Sequence, residues 1–184
     1  MIYKELQTLF QQCAKSILTS FITDPDKYIR YEYPTEGASD WNVTDNIVFI
    51  NSQELSDEYA RLPFTRYVNQ DDTVIAERVR TRVWKVLFTS YGPDSYDMSN
   101  ALRDGFISEA ITRKMTPSGV FLIPNWPNCI QANEMWAGRW WQRWDLTLSF
   151  NEEYVTTEDV GHIDQIHIRF DKGGQNNGSN NFNA

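Results

Sequence analysis

Few side chains in this sequence stand at spacings that support metal binding. The histidines, His162 and His167, are five residues apart on a predicted strand, so they would point to opposite faces and could not share a metal. Cys13 and Cys129 lie on distant segments, without the Cys-x-x-Cys spacing of a zinc site. We therefore expect no bound metal and no cofactor.

Acid–base catalysis would have to use neighbouring carboxylates, because nucleophile motifs are missing. The sequence has neither the Gly-x-Ser-x-Gly motif of hydrolases nor the Gly-x-x-x-x-Gly-Lys phosphate loop. Two carboxylates can act as an acid and a base, and adjacent carboxylates occur in three pairs, all in predicted turns: Asp71–Asp72, Glu152–Glu153 and Glu158–Asp159. Because charged side chains in turns are usually solvated, we expect a protein that is not an enzyme. A hydrolase that uses these acidic turns is the distant alternative.

The composition restricts the partners. Lys and Arg together number 17 and Asp and Glu 25, which gives a formal net charge of −8. So acidic a chain argues against general binding of duplex DNA, which requires basic side chains, although DNA could pass close by without binding. No apolar run approaches the roughly 18 residues of a membrane span, so we expect no membrane partner.

The length and the apolar content are those of one folded domain. The 184 residues are 41% hydrophobic and 14% aromatic, which suits a core that removes roughly 70% of the unfolded surface from water. We predict a single domain over residues 1–172, followed by a flexible tail, residues 173–184, that is rich in Gly and Asn. Two cysteines are too few for a disulfide framework and favour a reducing cytosol.

The longest alternating pattern runs from Met135 to Phe150 and contains four tryptophans between residues 136 and 144. One parity is apolar, with Trp140, Trp144, Leu146, Leu148 and Phe150. The other parity is mostly polar, with Arg139, Arg143, Asp145, Thr147 and Ser149, and with Trp141 among them. Such alternation is typical of a strand with one buried face, so we predict one long strand here.

Two helices and several further strands follow from periodicity. Residues 3–21 predict an amphipathic helix, because apolar side chains recur at steps of three and four: Leu6, Leu9, Phe10, Cys13, Ile17 and Phe21. A second helix, capped by Asp94 or Ser95, should run to Lys114. Strands are predicted over residues 28–33, 46–50, 73–90, 119–123 and 162–170.

The rest of the chain is predicted to connect these elements. We expect a mobile surface segment over residues 51–70, with a short helix over 54–60, and a polar connection over 155–161. The order is then α-β-β-β-α-β-β-β, an α+β fold in which a mixed or antiparallel sheet carries about two helices.

Arginine and tryptophan are the residue types that remain as candidates for a function. If the two long strands are neighbours, Arg78, Arg80 and Arg82 could share one sheet face with Arg139 and Arg143. Cross-strand salt bridges, with Asp145 or Glu77 as partners, would explain this row. A subunit interface would explain it too, because Arg and Trp anchor interfaces, and it would also use Trp136 and Trp141. Exposed tryptophans would equally suit a carbohydrate-binding module.

The order of motifs over residues 70–170 resembles that of the neck or tail terminator proteins of tailed bacteriophages. The similarity comprises a strand that ends in a Tyr-Gly turn (Val83–Gly92), a helix (Met98–Asp104), a loop with Gln131, and the strand Arg139–Leu148. The N-terminal helix agrees in position. Residues 51–70 and the Gly/Asn-rich tail match no part of that pattern.

The resemblance implies a structural virion protein of the tail or neck, assembled in the host cytoplasm. Such proteins form a hexameric ring that caps the tail tube and joins it to the head connector, so the implied partners are further copies of the chain, a tail tube protein and a head-completion or connector protein. DNA would pass through the lumen without specific binding. The resemblance implies no catalytic residues. Another ring of the head-to-tail connection, such as a head-completion or tube-initiating protein, is the alternative within this class.

Overall fold

The protein has an α+β fold, as predicted from the sequence. A computed structural model describes residues 1–32, 40–56, 62–70 and 73–160. The helices are α1 (Tyr3–Ile17), α2 (Pro25–Tyr28), α3 (Ser95–Gly105) and α4 (Glu109–Met115), and a 3₁₀ turn follows at Thr116–Ser118. The strands are β1 (Ile29–Tyr31), β2 (Ile47–Leu55), β3 (Phe64–Gln70), β4 (Thr73–Tyr91), β5 (Val120–Leu122), β6 (Ile130–Gln131), β7 (Glu134–Trp136), β8 (Arg139–Trp141) and β9 (Arg143–Val160).

Seven of the described strands form one mixed sheet in which β4 and β9 are central. The order along the sheet is β1-β2-β4-β9-β5, while β3 also pairs with β4 and β6 also pairs with β9. The pairing of β1 with β2 is parallel, and β2 runs antiparallel to β4, with Ile47 opposite Tyr91 and Leu55 opposite Val83. Antiparallel pairing also joins β5 and β6 to β9. The remaining two strands, β7 and β8, form a separate hairpin.

The predicted N-terminal helix is confirmed as α1, which ends at Ile17 rather than at Phe21. Its apolar stripe is buried against one face of the sheet, where Phe10 meets Phe150 with ring centroids 4.7 Å apart. Ile17 at the end of the helix and Phe21 beyond it are half-buried and also pack on the core. Periodicity therefore located the buried face correctly, and only the end of the helix differs.

The predicted helix from Asp94 to Lys114 is wrong in one respect, because it is broken into α3 and α4. Ser108 starts α4, since its hydroxyl accepts from the amide of Ile111 and donates to the carbonyl of Gly105. A Cβ at Gly105 would lie only 2.7 Å from side-chain carbons of Ile17, so this glycine lets α1 pass close to α3.

The single strand predicted over Met135–Phe150 is also wrong. Ala137 and Gly138 have φ angles of 50° and 73°, so the chain reverses there in a two-residue turn and forms the β7–β8 hairpin. The long strand begins only at Arg143, and from there the predicted alternation holds: Leu146, Leu148 and Phe150 are buried.

Segments without clear alternation are strands where we predicted loops. Residues 51–55 continue β2, residues 64–70 form β3, and residues 155–160 continue β9. Backbone pairing with β4 accounts for the first of these, since β2 keeps its register as far as Leu55, and such pairing does not require side-chain alternation. The carboxylate pairs Glu152–Glu153 and Glu158–Asp159 consequently lie in β9 and not in turns.

The chain divides into two compact units. The first comprises the described parts of residues 1–64 and 79–155 and holds the helices and the core; the second comprises the described parts of residues 65–78 and residues 156–160. Several sequence-based predictions fall outside the described residues: most of the helix over 54–60, the Asp71–Asp72 pair, the strand over 162–170 with both histidines, and the tail.

Candidate interaction surfaces

The structure does not bring the five candidate arginines into one row. Arg82 lies at the middle of β4, whereas Arg143 lies beside Tyr91 at the end of β4, with its guanidinium 5.8 Å from the ring. Nine residues of strand separate positions 82 and 91, a distance of about 30 Å. Arg139 belongs to the hairpin sheet. The arginines therefore form separate groups with different surroundings.

Arg82 forms a buried ion pair with Glu152, to which Trp84 also donates a hydrogen bond. We term these three residues the Glu152 cluster. The guanidinium of Arg82 donates to both carboxylate oxygens of Glu152, from Nη2 at 2.7 Å and from Nε at 3.0 Å, and the indole Nε1 of Trp84 donates at 2.7 Å. The carboxylate of Glu152 is fully buried. These hydrogen bonds compensate for removing the charge from water, so the cluster has a structural role.

The other two arginines on β4 also have partners within the chain. Arg80 is exposed and lies over the ring of Tyr154 at 5.1 Å, while Arg82 lies over the same ring at 4.1 Å. In the second unit, Arg78 pairs with Glu158 at 2.8 Å, and both side chains are more than half exposed. Of the two carboxylates that the sequence suggested as partners, Asp145 pairs with Arg143, whereas Glu77 pairs with Arg66; Arg78 and Arg82 have other carboxylates as partners.

The β7–β8 hairpin has two different faces. Its register pairs Glu134 with Trp141 and Trp136 with Arg139 on one face, and Met135 with Trp140 on the other. Trp141, on the first face, packs on Trp41, which also contacts Phe49 and Tyr91. We term these four aromatic residues the hairpin cluster. Within it, Trp41 lies 4.6 Å from Trp141 and 5.1 Å from Tyr91 between ring centroids.

Polar contacts fasten the hairpin to the sheet. The hydroxyl of Tyr91 donates to the carboxylate of Glu134, and burial together with this hydrogen bond raises the pKa of Tyr91 well above its usual value of 10. Arg143 donates to both carboxylate oxygens of Asp145, at 2.8 and 2.9 Å, which raises its own pKa. A further ion pair of 3.5 Å joins Arg143 to Glu134. The hairpin is thus held by charged and aromatic contacts together.

Large apolar side chains line the side of β9 that β4 leaves free. There β5 pairs with residues 150–152 and β6 with residues 144–145, and the hairpin follows. We term this surface the apolar edge; its six side chains are between 45% and 69% exposed: Phe121, Trp126, Ile130, Met135, Trp136 and Trp140. Such residues are typical of interaction surfaces.

The candidate tryptophans therefore differ in their surroundings. Trp136 is the most exposed residue of the apolar edge, and Trp141 is half-buried in the hairpin cluster. Sequence reasoning missed Trp140, which it placed on the buried face. The signal was Gln142, a polar side chain on the otherwise apolar parity: the strand is interrupted there, between β8 and β9, which separates Trp140 from the buried face of the later strand.

The described residues show no site for metal or nucleophilic chemistry. Among them, no three His, Cys, Asp or Glu side chains lie close enough to hold a metal ion. Burial raises the pKa of Cys13 to about 11 and also raises that of Cys129, so both thiols stay protonated near neutral pH. None of the helices in the described part of the chain is long and apolar enough to cross a membrane.

Comparisons with known proteins agree with the resemblance found in the sequence. The comparison with curated proteins gave no match. The pattern that defines the family of phage neck terminator proteins matches residues 2–174, which includes α1 and every element described after it. Because that match spans nearly the whole sequence, the chain belongs to the phage neck terminator protein family.

Proposed function

We propose that copies of this chain form a ring that caps the phage tail tube and joins it to the head connector. The observation that carries the proposal is the family match over residues 2–174, since a neck terminator is a structural protein of the virion neck. The ring would be hexameric, as the resemblance implies. Its further partners would be the tail tube protein and a head-completion or connector protein.

One feature of the described residues and one of the whole sequence support this proposal. The apolar edge offers a contact surface without any group placed for catalysis, which suits a protein whose work is binding. The net charge of −8 permits a lumen that repels phosphates, so that DNA could move through the ring without being held. Neither feature requires a cofactor.

The proposal is tested by rebuilding infectious particles in vitro. Tails from cells infected with a phage that lacks this gene would be mixed with the purified protein and then with filled heads. We expect tails capped by a ring in electron micrographs and recovery of plaque-forming particles. Folded protein that leaves the tails bare and the heads unjoined would refute the proposal.

The arginines need to be probed selectively in this experiment. Arg82 and Arg143 hold carboxylates of the fold, so their substitution would confuse loss of folding with loss of assembly. Arg80 and Arg139 are exposed and suit the test. If the arginines belong to a subunit interface, Arg80→Glu or Arg139→Glu should reduce particle recovery at an unchanged melting temperature, whereas full recovery with both variants would exclude them.

A further inference from the structure

We propose that the apolar edge is the surface by which one copy of this chain contacts the next. This inference rests on the proposed function and adds to it the surface that holds the ring together. It assigns that role to the six apolar side chains between Phe121 and Trp140, and not to the arginines of β4.

The exposed area is the first argument. Aromatic side chains bring roughly 150–250 Å² each, so at the exposed fractions found here the six side chains leave roughly 800 Å² open to water. One partner contributes about 800 Å² to an interface of standard size. The apolar edge therefore has the size of a subunit contact.

The distribution of charge is the second argument and favours another copy of this chain as the occupant. From residue 120 to residue 142, the charged residues are Glu134 and Arg139 alone. That share is well below the 23% of charged residues in the whole sequence. Glu134 already accepts from Tyr91 and pairs with Arg143. Copies that each carry a charge of −8 repel one another, so they can approach most closely where acidic side chains are few.

Rigidity is the third argument. Trp141 and Glu134 fix the inner face of the hairpin, so the backbone that carries Met135 and Trp140 on the outer face is held in position before any partner arrives. A backbone that is already ordered loses less entropy on binding. In a closed ring each subunit uses two different surfaces, and the apolar edge would be one of them.

The test places a photo-crosslinking residue, p-benzoylphenylalanine, at position 140 in protein that is rebuilt into particles as above. We expect an adduct of twice the 21.5 kDa chain mass, made of two copies of this chain. An adduct with a different protein, or none, in particles that do form would overturn the inference while the proposed function stands. Failure of the unsubstituted protein to join heads and tails would instead remove the proposed function.

A matched pair of variants gives an independent measurement. Met135→Lys with Trp140→Lys places two charges on the outer face of the hairpin, and Ile107→Lys places one on an apolar side chain, 38% exposed, between α3 and α4. We expect the double variant to lose at least 90% of the recovered particles with a melting temperature within a few degrees of the unsubstituted protein, and Ile107→Lys to lose little. Equal recovery with the double variant would contradict the inference.

Discussion

Within the first compact unit, the two ends of the central strands use the same residue types in different ways. The Glu152 cluster combines an arginine, a carboxylate and an aromatic ring, and so do the contacts of Arg143, Asp145 and Tyr91 beside the hairpin cluster. At Glu152 the carboxylate is fully buried, whereas Arg143 and Asp145 keep 25% and 20% of their side-chain surface. Trp84 is buried, while Trp136 is largely exposed. Tryptophan therefore fills the fold at one end and is left exposed at the other, while arginine is paired with a carboxylate at both ends.

The N-terminal segment accounts for part of this difference. Tyr3 of α1 stacks on Trp84 at 5.6 Å, and Arg82 donates to the carbonyl oxygen of Met1 at 3.0 Å. At the other end, the hairpin rests on Trp41 and Tyr91 with one face only. Met135 and Trp140, on its other face, stay more than half exposed.

The largest effect is expected at the buried end. Glu152→Gln should lower the free energy of unfolding by about 3–5 kcal/mol, because it leaves the Arg82 guanidinium buried without a counter-charge. The matched variant Asp145→Asn should cost only about 1–2 kcal/mol, since Arg143 is partly solvated and keeps Glu134 nearby. Denaturant unfolding at neutral pH compares the two variants, and equal losses would mean that burial does not distinguish the two ends.

An intermediate and pH-dependent effect is expected at the hairpin end. Tyr91→Phe removes the hydrogen bond to Glu134 and should cost about 1–3 kcal/mol at pH 7. The pKa of Tyr91 is raised in the folded state, so above pH 10 the unfolded chain loses this proton first and the stability falls as the pH rises.

The Tyr91→Phe variant lacks the phenol, so its free energy of unfolding should fall less between pH 10 and 11 than that of the unsubstituted protein. The difference cannot exceed about 1.4 kcal/mol per pH unit, which is the limit for one proton. Denaturant unfolding of both proteins at pH 8, 10 and 11 measures it. Parallel pH profiles would contradict the raised pKa.

The smallest effect is expected at Arg80. Among the described residues, the ring that Arg80 lies over is that of Tyr154, and Arg80 itself is exposed, so Arg80→Ala should cost no more than about 1 kcal/mol. The same substitution at Arg82 should cost several times more, because it leaves the Glu152 carboxylate buried and unpaired. Thermal unfolding of the two variants side by side sharpens the contrast within a single strand.

The sequence by itself determined the parts of the fold that depend on local periodicity. The stripe of α1 could be read because its apolar residues return to one face every three or four positions, and that face is buried. The strand β4 was found nearly to its ends for the analogous reason, as was the second half of the Trp-rich segment. The order of these elements was also sufficient to suggest the family.

The tertiary structure decided which candidate residues are free to bind. Glu152 looked like a solvated turn residue until β9 placed it beside Arg82, which lies 70 residues away in sequence. The hairpin depends on a left-handed backbone conformation at Ala137, and alanine rarely signals such a turn. Trp141 packs on Trp41, which lies 100 positions earlier in the sequence. Contacts between residues so distant in sequence leave no periodic trace, so only the folded chain separates the tryptophans that fill the core from those that face outward.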